Sequence, residues 1–317
     1  MRIYKNVQFK TPPVLLASWP GMGNVGIIST DYLRSQLDTK VLAEIDMTQY
    51  FIPESIVVRD GLAQLPEVPR SVIYYHEDPD VLIFESNAQV GGKEGIAIIK
   101  DIIRFATEYN VQEIYTAAAY AQNISHSSVP QVQGAFNNKK LLEKYTDLGV
   151  VPMKDGQIAG LNGLMLGIAH GYNIEAGCFL GTIPSFAANL SYPKASLAII
   201  KYYEEILDIT IDTSDLRESI AQVDTQYTEI EKRIRKFYPD AIEEQEERDE
   251  DEGWELLEDI GNVEDDEVPQ YIMEKIETMF KEVSLDKSKA TVLKKELDRW
   301  NLFELYESRF LKLFKEE

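Results

Sequence analysis

The chain has 317 residues, 44% of them hydrophobic, and it carries 54 acidic against 32 basic residues, for a net charge of −22. This balance argues against a nucleic-acid partner, because phosphate binding needs clustered lysines and arginines. The single cysteine, Cys178, excludes an intramolecular disulfide, and the lack of a signal-peptide core or of an apolar run near the ~20 residues that span a bilayer predicts a cytoplasmic protein with no membrane contact.

Residues 1–210 predict a mixed α/β domain. Short apolar runs predict strands, and apolar residues spaced three to five positions apart predict helices. Turn residues at 59–61 and 77–80 predict hairpins, so the sheet is expected to fold back on itself after its second strand. In chain order, the predicted strands are 14–19, 41–45, 56–58, 62–65, 72–76, 81–85, 114–120, 132–136 and 176–180, and the predicted helices are 24–37, 95–109, 138–145, 161–170 and 194–207.

The loop after the first of these strands reads G-x-G-x-x-G from Gly21 to Gly26, and Asp46 follows twenty residues later. This is the spacing of a dinucleotide-binding loop. Such a fold needs a crossover helix after the second strand, but the segment from 47 to 92 has hairpin signals and no helical period. A P-loop is excluded because Ile27-Ile28 stands where Lys and Ser/Thr are needed.

Two interpretations of the glycine loop therefore stay open beside the dinucleotide site. The glycines could simply let a strand turn sharply into a helix packed close to the sheet. Alternatively, the helix N-terminus could bind an anion or a small ligand, and a second glycine segment before the next helix could line the same pocket. The candidate ligand-binding residues are Gly21, Gly23, Asn24, Gly26, Gly92 and Lys93.

The three histidines predict neither catalysis nor a metal site. His76 ends a strand, His126 lies in the polar loop 123–128, and His170 ends a helix. No two of them share the spacing of metal ligands, and no G-x-S-x-G elbow accompanies the serines beside His126. We therefore expect no catalytic residue, no metal and no cofactor.

The segment 213–240 predicts a helix with an unusual apolar seam. Its apolar residues alternate at spacings of four and three, which is a heptad pattern. The seam could form a coiled coil with a second copy, or it could pack on the apolar stripe of a later helical hairpin within the chain, which we favour. The seam consists of Leu216, Ile220, Val223, Tyr227, Ile230, Ile234 and Phe237.

The rest of the chain predicts an acidic linker, 241–267, and a helical hairpin, 268–317. The span from Glu243 to Glu267 holds 15 acidic residues and one basic residue, which is typical of a solvated linker. Trp254 and Leu257 lie among the acids and could anchor a basic partner surface. One face of the last helix carries Leu293, Leu297, Trp300, Phe303, Tyr306, Phe310 and Phe314.

Four sequence blocks, in this order, resemble the proteasome assembly chaperone family, the archaeal and bacterial relatives of eukaryotic proteasome assembly chaperone two. They are Pro20–Gly26, Gly156–Leu166, the stretch from Pro184 that contains Tyr192-Pro193-Lys194-Ala195, and Asp208–Leu216. The resemblance covers about residues 10–220. It implies a three-layer α/β core with a mixed sheet, like that of nucleoside phosphorylases, and a homo-oligomer without established catalytic residues.

Some archaeal members of that family look like chaperones for proteasome α-subunits and dock through a C-terminal hydrophobic-Tyr-any tripeptide. This chain ends Lys315-Glu316-Glu317 and departs from that motif, so we do not expect docking through the tail.

The predicted fold is thus an α/β core over 1–212, followed by the heptad helix, the acidic linker and the helical hairpin. The predicted function is that of a non-enzymatic, homo-oligomeric factor that binds partner subunits, with proteasome subunits or another protein complex as clients. The alternative is a nucleoside- or phosphate-binding protein or enzyme that uses the glycine loops. The candidate partner-binding residues are Trp254, Leu257, Trp300, Phe303, Tyr306, Phe310 and Phe314.

Overall fold

The computed structural model describes residues 1–51, 53, 55–59 and 61–237, together with positions 279–280, 283, 287–290, 293–294, 297, 306 and 310. The chain divides into two compact units, Met1–Glu246 and Glu247–Glu317.

The strands and helices of the first unit follow the predicted order. The strands are β1 (Arg2–Ile3), β2 (Val14–Ser18), β3 (Lys40–Ile45), β4 (Val57–Arg59), β5 (Leu62–Gln64), β6 (Ser71–Glu77), β7 (Asp80–Ser86), β8 (Glu113–Gln122), β9 (Val132–Phe136), β10 (Val151–Pro152) and β11 (Glu175–Pro184). The helices are α1 (Val25–Gln36), α2 (Gly92–Glu108), α3 (Lys139–Asp147), α4 (Gly160–His170), α5 (Pro193–Leu207) and α6 (Ser214–Phe237).

Nine strands form one mixed sheet in the order β1-β3-β6-β7-β2-β8-β11-β9-β10, and β4 and β5 form a separate hairpin. Strands β7, β2, β8 and β11 run parallel to their neighbours within this group, whereas β6 is antiparallel to both β3 and β7. The prediction that the sheet folds back after its second long strand is therefore confirmed.

The dinucleotide interpretation is wrong on topology. Strand β3 does not lie beside β2 but three places away in the sheet. Between Met47 and Gly92, the described residues contain no α-helix, only a short 3-10 turn over Met47–Gln49. Asp46 caps that turn, because its Oδ1 accepts hydrogen bonds from the backbone N–H and the hydroxyl of Thr48, and these bonds lower the pKa of Asp46.

The sheet lies between two layers of helices, which confirms the predicted three-layer fold. Helices α2 and α4 cover one face, and α1, α3 and α5 cover the other. On α2, the buried residues Ile98, Ile99, Ile102 and Ile103 recur at helical spacing. Burial of each such side chain contributes about 1.5–3 kcal/mol, so this one face explains why α2 forms as predicted.

The seam of α6 packs within its own unit. Leu216 and Tyr227 are buried, and Ile220, Val223 and Ile230 pack against the same cluster as α1 and α5. The first five seam residues therefore have an intramolecular partner, as we favoured, but that partner is the α/β core. Packing of the seam on residues 268–314 stays a prediction.

The described residues of the second unit share a small core. Phe280, Val283, Ala290, Leu293, Leu297 and Phe310 are buried together, with Met279 and Tyr306 packed against them. The rings of Phe280 and Tyr306 stack with their centroids 5.4 Å apart. Part of the predicted stripe thus faces the interior of this unit.

Candidate functional site

Four loops meet where β2, β7, β8 and β11 end, and we call this edge of the sheet the carboxyl edge. The loops are 19–24, 87–91, 123–131 and 185–192. Parallel α/β sheets generally place their ligands outside the carboxyl ends of the strands. Both predicted glycine segments lie here, so this edge is where a small-molecule site would be expected.

The first glycine loop is joined to the loop after β11 by backbone hydrogen bonds. Gly23 has a positive φ of 63°; its N–H donates to the Ala188 carbonyl at 2.8 Å, and its own carbonyl accepts from the Tyr192 N–H at 2.7 Å. The Asn24 N–H donates to the Gly21 carbonyl at 3.0 Å. The N–H groups of Gly23 and Asn24 are thus used inside the protein.

Gly26 is required for a different reason, since it lies where α1 crosses the sheet. A Cβ atom at this position would lie 2.3 Å from the carbonyl oxygen of Ala117 in β8, well inside van der Waals contact. Only glycine lets the helix approach the strand this closely. These contacts support the structural interpretation of the G-x-G-x-x-G spacing.

Two amide side chains join the first glycine loop to its neighbours, Gln89 from the second glycine segment and Asn162 from α4. The side chain of Gln89 donates to the Pro20 carbonyl and accepts from the Leu161 N–H at 3.1 Å. Asn162 pairs with Trp19 in both directions, accepting from its N–H at 3.2 Å and donating to its carbonyl at 3.3 Å. The two segments therefore do meet at one edge, with Gln89 and Asn162 between them and the start of α4.

The remaining glycine candidates lie on the surface. Gly21 is exposed in the first loop. Gly92 has a positive φ of 65° where α2 begins, and both it and Lys93 are exposed.

The loop after β8 holds α6 through a buried carboxylate. Glu231 of α6 is 6% exposed, and it accepts from the His126 N–H at 2.9 Å and from the Ser125 hydroxyl at 2.9 and 3.0 Å. Arg235 donates to the same carboxylate at 3.0 Å. Burial alone would raise the pKa of Glu231, but the hydrogen bonds from His126, Arg235 and Ser125 outweigh it and lower the pKa.

The His126 side chain completes this contact, which we call the α6 clamp (Ser125, His126, Asp224, Thr228 and Glu231). Nδ1 lies 3.3 Å from Asp224 Oδ1, and Nε2 lies 3.2 Å from the Thr228 hydroxyl. Because the imidazole and the serine hydroxyl both face groups of α6, their arrangement secures a helix rather than activating a nucleophile.

The carbonyl side of the same loop is held by α5 and the segment before it. Lys194 Nζ donates to the His126 carbonyl at 2.8 Å, and the Tyr192 hydroxyl donates to it at 3.3 Å. The Tyr227 hydroxyl of α6 donates to the Ser191 carbonyl. Helix α6 is therefore fixed by polar contacts at the carboxyl edge as well as by its apolar seam.

The sequence indicated the polar loop around His126 but not its partners. Glu231 and Asp224 lie about a hundred residues downstream, and a charged residue beside an apolar seam has no feature that marks it as buried. Gln89 and Asn162 were missed for the same reason, because their contacts are long-range.

The other two histidines lie apart from this edge. His76 lies near the end of β6, where its Nδ1 accepts from the Asp78 N–H at 3.2 Å, and His170 is exposed at the end of α4. Among the described residues, no group of three or more His, Cys, Asp or Glu side chains is arranged to hold a metal ion. Cys178 is buried, and burial raises the pKa of its thiol to about 12.

In the part of the chain that the structure covers, no helix is both long and apolar enough to cross a bilayer.

The partner-binding candidates are only partly covered by the structure. Phe310 is buried in the core of the second unit, and Tyr306 packs against that core. The candidates Trp254, Leu257, Trp300, Phe303 and Phe314 lie outside the described residues.

Solved structures share this fold over about 70% of this chain. The Pyrococcus furiosus proteasome activator PbaB aligns with a TM-score of 0.61 and 22% identity over 72% of this chain and 97% of its own. P. furiosus PbaA, an archaeal homologue of proteasome-assembly chaperone, aligns with a TM-score of 0.58 and 18% identity, over 73% and 91%. The Mycobacterium tuberculosis proteasome-assembly chaperone homologue Rv2125 aligns with a TM-score of 0.57 and 20% identity, over 70% and 95%.

No curated protein matches the chain. The profile of the PAC2 family, however, matches residues 15–231, which is more than half of the chain and includes the glycine loop, the α6 clamp and the four sequence blocks. The resemblance predicted from those blocks is therefore confirmed, and the chain belongs to the PAC2 family.

Proposed function

We propose that this chain is a non-enzymatic, homo-oligomeric protein-binding factor that acts as an assembly chaperone, with proteasome subunits or another protein complex as its client. Its family and its resemblance to structures of a proteasome activator and of chaperone homologues support this class of function. The observation that carries the proposal is the carboxyl edge, where Gln89, Asn162 and Glu231 bind groups of the protein itself.

The mechanism would be surface complementarity. Copies of the α/β core would hold client subunits side by side, and the segment after α6 would add reach and selectivity. The acidic stretch Glu243–Glu267 would steer a basic client surface toward the chain, after which Trp254 and Leu257 would anchor it. Trp300, Phe303 and Phe314 remain candidates for further contacts, whereas Tyr306 and Phe310 support the core of the second unit.

Capture of proteasome α-subunits by the full chain, read by native mass spectrometry, tests the proposal. We expect a complex with the wild type and at least about tenfold weaker capture after Trp254→Ala with Leu257→Ala, because a pair of anchoring residues contributes more than about 1.4 kcal/mol. Tyr172→Ala, which removes an exposed aromatic side chain from the first unit, should leave capture unchanged. Failure of the wild type to capture any α-subunit would contradict a proteasome client.

A thermal-shift measurement separates this proposal from a small-molecule function. A ligand that binds only the folded protein raises its melting temperature, so a nucleoside with phosphate at millimolar concentration should shift a phosphorylase-like protein by several degrees. We expect no shift here. A clear shift that disappears in Gln89→Ala would place a ligand at the carboxyl edge and overturn the non-enzymatic proposal.

A further inference from the structure

The hairpin of β4 and β5 and the residues beside it carry large apolar side chains that are exposed to solvent. Val58 is 62% exposed and Leu62 is 67% exposed, and just outside the strands Ile56 and Leu65 are 58% and 75% exposed. None of the described residues of the hairpin is buried. A contiguous apolar group of this kind on a natural protein marks an interaction site.

The strand register places three of these side chains on one face, whereas Leu62, which pairs with Arg59, lies on the other face. Val58 pairs with Ala63, and directly paired residues of antiparallel strands point to the same side of the sheet. Continuing the alternation by one step on each strand adds Ile56 and Leu65 to that side. We call Ile56, Val58, Ala63 and Leu65 the hairpin face; all four residues are apolar and exposed.

The apolar area of the hairpin face is about half of what one partner contributes to a typical interface. The exposed fractions of its three large side chains correspond to roughly 400 Å² of apolar surface, about half of the ~800 Å² that each partner buries in a typical stable complex. The flanking backbone and polar groups would supply the remainder. The face is thus large enough to form the centre of a contact.

The edges of the hairpin are also unprotected. Among the described residues, each of its strands is hydrogen-bonded only to the other, and the strands themselves contain neither proline nor lysine, the residues that commonly block edge-to-edge association. A surface that is both apolar and open at its edges promotes aggregation unless it is covered whenever the protein is folded. A second copy of the chain is always available for this, whereas a client is not.

Charge favours the same occupant. Two chains of net charge −22 repel each other, so they should meet where the local charge is lowest. Residues 55–70 contain two basic and two acidic residues, Arg59, Arg70, Asp60 and Glu67, and their net charge is zero. Two copies can therefore approach each other through this segment without bringing like charges together.

We propose that the hairpin face binds the hairpin face of a second copy of this chain across a two-fold axis. The two sheets would pack face to face, and the same residues would contribute from both sides. This inference builds on the proposed homo-oligomeric function by naming the surface that joins the copies, and it is independent of which client is bound.

Association can be measured by analytical ultracentrifugation of the full chain. The wild type should sediment at a multiple of the 36.1 kDa chain mass. Val58→Glu places like charges opposite each other and should weaken self-association at least a hundredfold, so that the dissociated chain becomes observable. Val129→Glu, at an 83% exposed valine in the loop after β8, carries the same charge change and should behave as the wild type.

Charge pairing identifies the occupant. Chains with Val58→Glu and chains with Val58→Lys should each be dissociated alone and should associate when they are mixed, because opposite charges then face each other across the axis. Neither a client nor another part of the same chain can produce this rescue.

Cross-linking gives a second readout that does not depend on destabilising the contact. Cys178 is buried and its thiol has a raised pKa, so Val58→Cys provides one reactive thiol per chain. A short bismaleimide should join two Val58→Cys chains and should not join two Val129→Cys chains.

Three results would overturn the inference: a wild type that sediments as a monomer, an oligomer that is unchanged by Val58→Glu, or failure of the mixed Glu and Lys variants to associate. The failure of this contact is distinguishable from failure of the proposed function, because client capture is measured separately. Capture that is lost in Val58→Glu without a change in oligomer mass would assign the hairpin face to the client instead.

Discussion

The carboxyl edge and the hairpin face differ in which kind of side chain is buried and which is exposed. At the carboxyl edge, polar groups such as Asn162 and Glu231 are buried, and their partners belong to the protein itself. On the hairpin face, apolar groups such as Val58 are exposed, and the described residues supply no cover for them. The comparison teaches that the buried polar groups of the carboxyl edge are paired within the protein, whereas the apolar groups of the hairpin face have no partner among the described residues.

The largest loss of stability is expected where a glycine allows α1 to pack closely against the sheet. In Gly26→Ala, the new Cβ would lie 2.3 Å from the Ala117 carbonyl oxygen, so α1 has to move away from β8. We expect a loss of about 3 kcal/mol in the free energy of unfolding, at the upper end of overpacking effects, measured by urea denaturation.

Gly167→Ala is the matched control for this substitution. A Cβ at Gly167, in the middle of α4, would meet no atom within 4 Å among the described residues outside its own helix. Because alanine has the higher helix propensity, the variant should be more stable by about 0.5–1 kcal/mol. Equal losses in the two variants would contradict the close approach of α1 to the sheet.

The next largest effect concerns the α6 clamp. Glu231→Ala removes the acceptor of the His126 N–H and the Ser125 hydroxyl, and a buried donor without its acceptor costs about 1–3 kcal/mol. Hydrogen exchange over 214–237 should accelerate much more than exchange in α2. Glu229→Ala, at an exposed residue of the same helix that pairs with Lys232, should leave exchange unchanged, and equal acceleration in both variants would argue against the clamp.

A smaller effect is expected from pH at the same residue. Folding lowers the pKa of Glu231. The ionised carboxylate therefore contributes its full stabilisation above the pKa of a glutamate in the unfolded chain, about 4.3, and this contribution is lost as the pH falls through the pKa of Glu231 in the folded protein. The stability difference between the wild type and Glu231→Gln should therefore shrink between about pH 6 and about pH 3. A difference that is constant across this range would contradict a role for the ionised carboxylate.

The smallest effect sharpens the other side of the comparison. Val58→Ser changes an exposed side chain, so in dilute, dissociated protein it should alter the free energy of unfolding by less than about 0.5 kcal/mol. Val25→Ser, at a fully buried valine of α1, should cost at least about 2 kcal/mol. A large loss in Val58→Ser under these conditions would show that the hairpin face is covered within one chain.

The sequence predicted the local features of both regions and missed their long-range partners. The Asp-Gly turn was sufficient to predict β4 and β5, and the isoleucine spacing was sufficient to predict α2, because both signals lie within a few residues. Strand β11 extends beyond the predicted 176–180. The prediction ended too early because Gly181 and Thr182 interrupt the apolar run; in the fold, the Thr182 hydroxyl accepts a hydrogen bond from the Gln131 N–H at 2.9 Å. The two-residue edge strands β1 and β10 carry too few residues to show any pattern.

The candidate site shows most clearly that long-range contacts cannot be predicted from local sequence patterns. The glycine spacing drew attention to this loop but did not predict the contacts of its glycines: Gly23 is hydrogen-bonded to Ala188 and Tyr192, and Gly26 lies against Ala117. The pairing of Asn162 with Trp19 joins residues 143 positions apart, and no local pattern encodes such a pair.

The polar contacts of α6 also determine how the helix is positioned on the core. Hydrophobic seams tolerate sliding, because one apolar side chain can replace another in the same groove, but the hydrogen bonds of Tyr227, Thr228 and Glu231 are satisfied in only one register. These hydrogen bonds therefore hold α6 at one position along its own axis against the α/β core.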